Sequence, residues 1–233
     1  MRELEKGKEL PALLPIWDKM DPRDRDEMER AAAERRVPAG TMVHSGEEHC
    51  LGLLIIRQGQ LRAFILSEEG REVTLYRMKA GDVCLFSASC VMRNIRMDLM
   101  IQAEKDSVFW VIPAPVYRRV MERSAPLANY TNERMAARFS EVMWLVEQIL
   151  WGSMDRRLAT FLLEESALEG GPSLSITHER IANHMGTARE VVTRMLRYFQ
   201  DEGMVRLSRG KVELLDIKGL ERLAAPPRPE EER

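Results

Sequence analysis

The stretch from Ile176 to Leu215 leaves this chain little freedom in how it folds. Residues 176–196 read Ile-Thr-His-Glu-Arg-Ile-Ala-Asn-His-Met-Gly-Thr-Ala-Arg-Glu-Val-Val-Thr-Arg-Met-Leu. Thr177 is a good N-cap, because its hydroxyl can accept a bond from a backbone N–H of the first turn. Behind it Ile181, Ala182 and Met185 share a face, and Gly186 supplies the left-handed residue that ends the helix. Thr187 then predicts the cap of a second helix, with Thr187 to Glu190 at capping-box spacing. On that helix Val191, Val192, Met195, Leu196 and Phe199 point one way. Arg189, Glu190, Thr193, Arg194 and Arg197 point the other. Two capped helices across a one-glycine turn make a helix-turn-helix.

The polar face has the chemistry of major-groove recognition. Arginine can hold the O6/N7 edge of guanine with two hydrogen bonds. Glutamate can accept from cytosine N4, and threonine offers a hydroxyl or a methyl. Arg189, Glu190, Thr193 and Arg194 are therefore the candidate base readers, and Arg197 a phosphate contact. Capping and base contact compete for the one carboxylate of Glu190. Beyond the helix, Val205 to Ser208 and Lys211 to Leu215 flank the turn Arg209-Gly210, which predicts a hairpin wing. Thr177, Thr187, Ser208, Arg209 and Lys211 join Arg197 as candidate backbone contacts. From Gly186 to Lys211 six basic residues stand against three acidic ones, a local excess that the whole-chain charge of -2 conceals. A solvated amphipathic helix would explain the face alone, but not the helix, turn and hairpin around it.

Upstream the periodicity changes three times. Residues 10–36 read as helical and stop at Val37-Pro38-Ala39-Gly40. From Thr41 to Ile112, short apolar runs alternate with turn signals: Leu51–Ile56, Leu61–Leu66, Val73–Met78 and Val108–Ile112, with Gln58-Gly59 and Glu68-Glu69-Gly70 between them. That pattern predicts a small antiparallel barrel or roll. Residues 127–152 form a long helix in which Met135, Phe139, Val142, Val146 and Ile149 recur at steps of 4, 3, 4 and 3. A seam of that kind needs a partner, either an intramolecular core or a second copy of the chain. Asp155 to Glu165 is a further helix. The Pro- and Glu-rich residues from Pro226 read as a disordered tail.

The 233 residues suffice for two modest domains. No apolar run spans a bilayer and the charged N-terminus has no signal-peptide core, so a cytoplasmic protein without membrane association is expected. Three cysteines, Cys50, Cys84 and Cys90, are too few and too scattered for a disulfide scaffold. Fifteen methionines fit core filling better than metal ligation. No nucleophile motif or paired-carboxylate constellation suggests an enzyme. A thiol catalyst built on Cys84 and His49, and a ligand-binding module acting on a protein partner, both leave the arginine face unexplained.

A glycine-punctuated β region, a long seam helix and a winged helix-turn-helix carrying Arg-Glu-x-x-x-Arg resemble the Crp–Fnr superfamily of bacterial transcription regulators. The resemblance runs from about residue 10 to 222. It implies an α+β chain with a cyclic-nucleotide-binding-like jelly roll and N-terminal helix (1–125), a dimerisation helix (126–152), a winged helix-turn-helix (153–222) and a tail (223–233). It further implies a homodimer on near-palindromic double-stranded DNA, a TGTGA-like half-site read by Arg189, Glu190 and Arg194, and RNA polymerase as a partner.

Departures cluster in the sensor half. The family's nucleotide cassette follows Gly-Asp with Gly-Glu-Leu and later Arg-Ser-Ala. Here Gly81-Asp82 leads into Val83-Cys84-Leu85-Phe86-Ser87-Ala88-Ser89-Cys90, with Phe86 about where the glutamate belongs. Arg93 and Arg96 lie near the cassette's arginine without its Ser-Ala. The effector is therefore unknown and not cyclic AMP in the usual mode; Cys84, Phe86, Ser87, Ser89, Cys90, Arg93 and Arg96 are candidate pocket residues. No cysteine precedes Cys50, which argues against the family's four-iron cluster. His44, His49 or a methionine are candidate haem ligands, weighed against plain surface histidines. Cys84 and Cys90 are candidate redox or nitric oxide sensors, weighed against simple packing.

Overall fold

The computed structural model describes residues 10–45, 51–84 and 99–225. The chain divides into two compact units, Met1–Leu66 with Leu75–Met143, and Ser67–Thr74 with Trp144–Arg233.

The described part of the first unit begins with helical residues 10–13, followed by a short 3₁₀ turn (Trp17–Lys19) and helix α1 (Pro22–Ala31), capped by Asp21, whose side chain accepts from the Arg23 N–H. Strands β1 (Ala33–Val37), β2 (Met42–Ser45), β3 (Leu53–Gln58), β4 (Gln60–Leu66), β5 (Glu72–Lys79), β6 (Val83–Cys84), β7 (Leu99–Ala103) and β8 (Ser107–Ile112) follow. They form two antiparallel four-stranded sheets, ordered β1-β8-β3-β6 and β2-β7-β4-β5. Leu54, Ile56, Leu61, Ala63, Ile101 and Phe109 fill the space between the sheets. The alternate residues Leu53, Ile55, Trp110 and Ile112 pack outward on Met28 of α1 and on Tyr117, Val120 and Leu127 of the helices that follow. Burial on both faces explains why Leu53-Leu54-Ile55-Ile56 is an unbroken apolar run rather than an alternation. Helix α2 (Ala114–Arg123) is held to α1 by Arg123, which donates to Asp24 and to Glu27, each at 2.6 Å. Helix α3 then runs from Ala125 to Trp151.

Two sequence expectations change here. The helical reading of residues 10–36 ends at Ala31, and Ala33–Val37 is an edge strand paired with β8, Ala33 opposite Val111 and Val37 opposite Ser107. The long-range ladder outweighs the helix propensity of the Ala-Ala-Ala run. His44, expected at the surface, is buried on β2.

The second unit holds the predicted helix-turn-helix. It comprises α4 (Met154–Glu169), β9 (Ser173–Leu174), α5 (His178–Met185), α6 (Arg189–Asp201), β10 (Val205–Ser208), β11 (Lys211–Leu214) and α7 (Ile217–Ala224). Leu158, Leu162, Ile181, Val192, Leu196, Phe199, Val212 and Leu220 form its core. Ser67–Thr74 belongs with it: Val73 bridges Met185, and Thr74 Oγ1 lies 2.7 Å from His184 Nδ1. The wing is wider than the predicted hairpin, because β9 adds a third strand in the order β10-β11-β9. Two residues gave too little pattern to announce that strand.

Candidate nucleic-acid interface

Thr177 caps α5 and accepts from the Arg180 N–H at 3.2 Å, and Gly186 closes the helix with φ 64°. Val192, Leu196 and Phe199 are fully buried on the inner side of α6. Arg189, Glu190, Arg194 and Arg197 are exposed on the outer side. The helix-turn-helix packing thus forces every charged side chain of the first three turns of α6 outward.

The start of α6 corrects one expectation. Ala188, not Thr187, is the N-cap and makes no side-chain cap bond. The Thr187–Glu190 box is therefore out of register by one residue, and Glu190 falls in the first turn as the second helical residue. The carboxylate is not spent on a cap, and its negative charge sits favourably at the helix N-terminus. Glu190, Arg189, Arg194 and Arg197 make no ion pair among the described residues.

Thr193 is only half-exposed, and its hydroxyl is already engaged: Oγ1 lies 3.0 Å from His178 Nδ1 on α5. Sequence reasoning missed His178, because nothing in a helix pattern tells which residue of α5 meets α6. Burial, then the charges of Arg189 and Arg197, hold the imidazole below its ordinary pKa.

The wing turn carries Arg209-Gly210 with Gly210 at φ 70°, and Ser208 pairs with Lys211 across it. Ser208, Arg209 and Lys211 are exposed. Arg206 is turned back to Glu213 at 3.0 Å, so its charge is spent within the wing. The wing is pinned to α6 by the Leu207 N–H, which donates to Gln200 Oε1 at 3.0 Å.

In the first unit Cys84 lies in the core between the sheets, its Sγ 3.7 Å from the Tyr76 hydroxyl. Burial, then the neighbouring Cys84, pushes that phenol well above its ordinary pKa. Over the same ring sits the Arg138 guanidinium of α3, 4.1 Å from its centroid and 2.6 Å from Glu141. Phe86, Ser87, Ser89, Cys90, Arg93 and Arg96, together with His49 and Cys50, lie outside the described residues. On α3, Phe139, Val146 and Ile149 are exposed, Phe139 to 64%, while Met135 and Val142 are half-buried. Among the described residues no cluster of His, Cys, Asp and Glu is arranged to hold a metal, and no helix is long and apolar enough to cross a membrane.

Comparison with known proteins matches both halves. Residues 156–223 fit the Crp-like helix-turn-helix domain, and residues 34–124 fit the cyclic nucleotide-binding domain. A crystal structure of a Crp/Fnr-family transcriptional regulator from Eubacterium rectale is 54% identical, with a TM-score of 0.89, over 91% of this chain and 99% of that one. The cyclic AMP receptor protein of Thermus thermophilus is 25% identical over 90% of this chain and 96% of its own length. The transcriptional regulator SdrP of the same organism is 28% identical over 72% and 82%. A cyclic-nucleotide-binding-type roll joined to a winged helix-turn-helix defines a DNA-binding transcription regulator. The chain belongs to the Crp/Fnr family.

Proposed function

We propose that the protein works as a homodimer that reads a near-palindromic operator, under the control of a signal received at its β-roll. The observation that carries the reading is the outer face of α6, where Arg189, Glu190, Arg194 and Arg197 stand exposed and make no ion pair among the described residues. Arg189, Glu190, Thr193 and Arg194 contact base edges. Thr177, Thr187, Arg197, Ser208, Arg209 and Lys211 contact phosphates. Phe139, Met143, Trp144, Val146 and Ile149 form an exposed apolar stretch of α3, and contiguous apolar surface of this kind marks an interaction site. A second α3 covers it and sets two reading helices on successive major grooves. RNA polymerase is the machinery such a dimer addresses.

The signal differs from cyclic AMP bound in the usual mode. The relative from Thermus thermophilus is named a cyclic AMP receptor, but here Phe86 replaces the acid that would hold the ribose. Control through oxidation of Cys84 is disfavoured by its place in the core.

Selection from a randomised duplex library with full-length protein tests the reading. An inverted-repeat motif is expected, and it should vanish in the Arg189→Ala, Arg194→Ala double variant. Enrichment of the same motif by that variant would refute the assignment. Sedimentation at micromolar concentration should give a dimer, and Phe139→Asp with Val146→Asp a monomer.

A further inference from the structure

Within the reading head one pair is unlike the rest. Arg189, Glu190, Arg194 and Arg197 present fixed chemistry, since arginine is always a donor and an ionised glutamate always an acceptor. Thr193 is different. Its hydroxyl can donate or accept, and which of the two it offers DNA depends on what it does with His178 Nδ1, 3.0 Å away.

We propose that His178 is a specificity-determining positioning residue whose protonation state decides whether Thr193 offers the major groove an acceptor or a donor. The proposal rests on the reading that α6 faces base edges. A neutral ring that keeps its proton on Nε2 leaves Nδ1 as an acceptor. Thr193 then donates its hydroxyl hydrogen to His178, and only oxygen lone pairs remain for a base. In that state Thr193 suits cytosine N4 or adenine N6, which are donors. A protonated ring donates from Nδ1 instead. Thr193 Oγ1 accepts from His178, and its hydrogen is released to face guanine O6 or N7, or thymine O4. One proton on α5 thus inverts the polarity of one reading position on α6, and no backbone movement is needed.

The surroundings place the switch where DNA can throw it. Arg189 and Arg197 of α6 are the charged groups that act on the ring, and both oppose its protonation. Glu179 and Arg180 adjoin it on α5 itself, and on α4 the Arg157 guanidinium is engaged at the other end of α5, by the Met185 carbonyl at 2.5 Å. A phosphate laid against Arg197, and base-edge acceptors held by Arg189, offset the opposing field and raise the imidazole's proton affinity. The DNA-bound protein then holds more protons than the free protein, so by linkage binding tightens as pH falls through the bound-state pKa and levels off below the free-state value. The ring is half-exposed and Nε2 has no hydrogen-bond partner among the described residues, so protons reach it from solvent.

Two measurements test this with full-length protein. In the first, duplex selection is run at about pH 6 and about pH 8 on the parent, His178→Gln and Thr193→Val. One position of the half-site should lose cytosine or adenine and gain guanine or thymine on acidification. A change of about three- to tenfold is expected, the scale of one net hydrogen bond. Both variants should hold the same base at both pH values, while the positions read by Arg189 and Arg194 stay fixed. A motif that is enriched but identical at both pH values overturns this proposal alone. The absence of any motif overturns the assignment of base readers with it. In the second, nitrogen-15 spectra of the histidine rings follow His178, assigned by its loss in His178→Gln. Adding a short duplex of arbitrary sequence at low salt should raise the His178 pKa, and Thr193→Val should change the tautomer balance of the neutral ring. An imidazole whose pKa ignores DNA, or whose tautomer ignores Thr193→Val, refutes the mechanism without any operator being known.

Discussion

The roll and the reading face of this chain treat their arginines in opposite ways. In the roll, guanidinium groups are answered from within: Arg77 meets Glu104 at 2.8 Å, Arg57 meets Glu34 at 3.0 Å, Arg123 spans Asp24 and Glu27, and Arg62 lies on the Phe64 ring. In the reading head, Arg189, Arg194, Arg197, Arg209 and Lys211 make no ion pair among the described residues, and only Arg206 of the wing is neutralised by a neighbour. Uncompensated cations on one face repel each other and add nothing to the fold. Their presence is explained by an anion outside it. The contrast separates charge that holds a structure from charge that awaits a ligand.

The contrast breaks if stability and binding respond alike in both units. Glu104 is the sharpest probe, since its side chain is only 5% exposed and also receives a bond from Gln60 Nε2 at 2.7 Å. Glu104→Ala removes a buried partner of Arg77 and of Gln60 and should destabilise the first unit by about 3 kcal/mol, the low end for breaking a buried pair. Urea unfolding followed by tryptophan fluorescence measures it. Arg194→Ala should leave that midpoint within about 0.5 kcal/mol. Its loss should fall on DNA instead, about 1–3 kcal/mol and confined to one base position. If Arg194→Ala unfolds the protein, its charge is structural and the distinction fails.

Lys211→Ala sharpens the same line within the reading head. A phosphate contact carries no sequence information, so every duplex should weaken alike and the salt slope should fall by about one. A change in base preference would move Lys211 from the backbone to the groove.

How much of this was legible in the sequence follows the same division. The reading head is built from local rules, namely a cap, a glycine turn and a 3.6-residue period, and its charges are exposed because their neighbours on the helix are not. Ile181, Met185, Val192 and Leu196 could be placed inside, and Arg189 and Arg194 outside, from spacing alone. The roll depends on pairings between distant residues. Ala33–Val37 becomes a strand only because β8 lies beside it, and His44 is buried only because β2 pairs with β7. The misread cap at Thr187 has a similar origin. Thr and Ala differ by one position, and the turn after Gly186 decides which of them stands at the helix start. The His178–Thr193 pair was beyond reach because it depends on the crossing of two helices, which no single helix pattern records.

The smallest effect expected concerns acid, and its sign differs between the two units. Glu27 is held below the ordinary carboxylate value of 4.5 first by its bond to Arg123 and then by Arg119, and Glu34 first by its bond to Arg36. In the unfolded chain these carboxyls return to their usual value, so they bind protons there before they do in the folded state. Stability from these pairs is therefore complete above about pH 5 and is lost as pH falls through the carboxylate range toward the lower folded values. Both groups are half-buried and still reached by solvent, so the loss is modest and salt screens it. In Glu27→Gln the urea midpoint should decline less steeply between about pH 5 and pH 3.5 than in the parent, and high salt should remove that difference. DNA affinity should move the other way on mild acidification, because bound phosphates favour a protonated His178. A DNA affinity that fell between about pH 7 and pH 6, or a Glu27→Gln midpoint that tracked the parent between about pH 5 and pH 3.5, would show that its cations do not divide as the two units suggest.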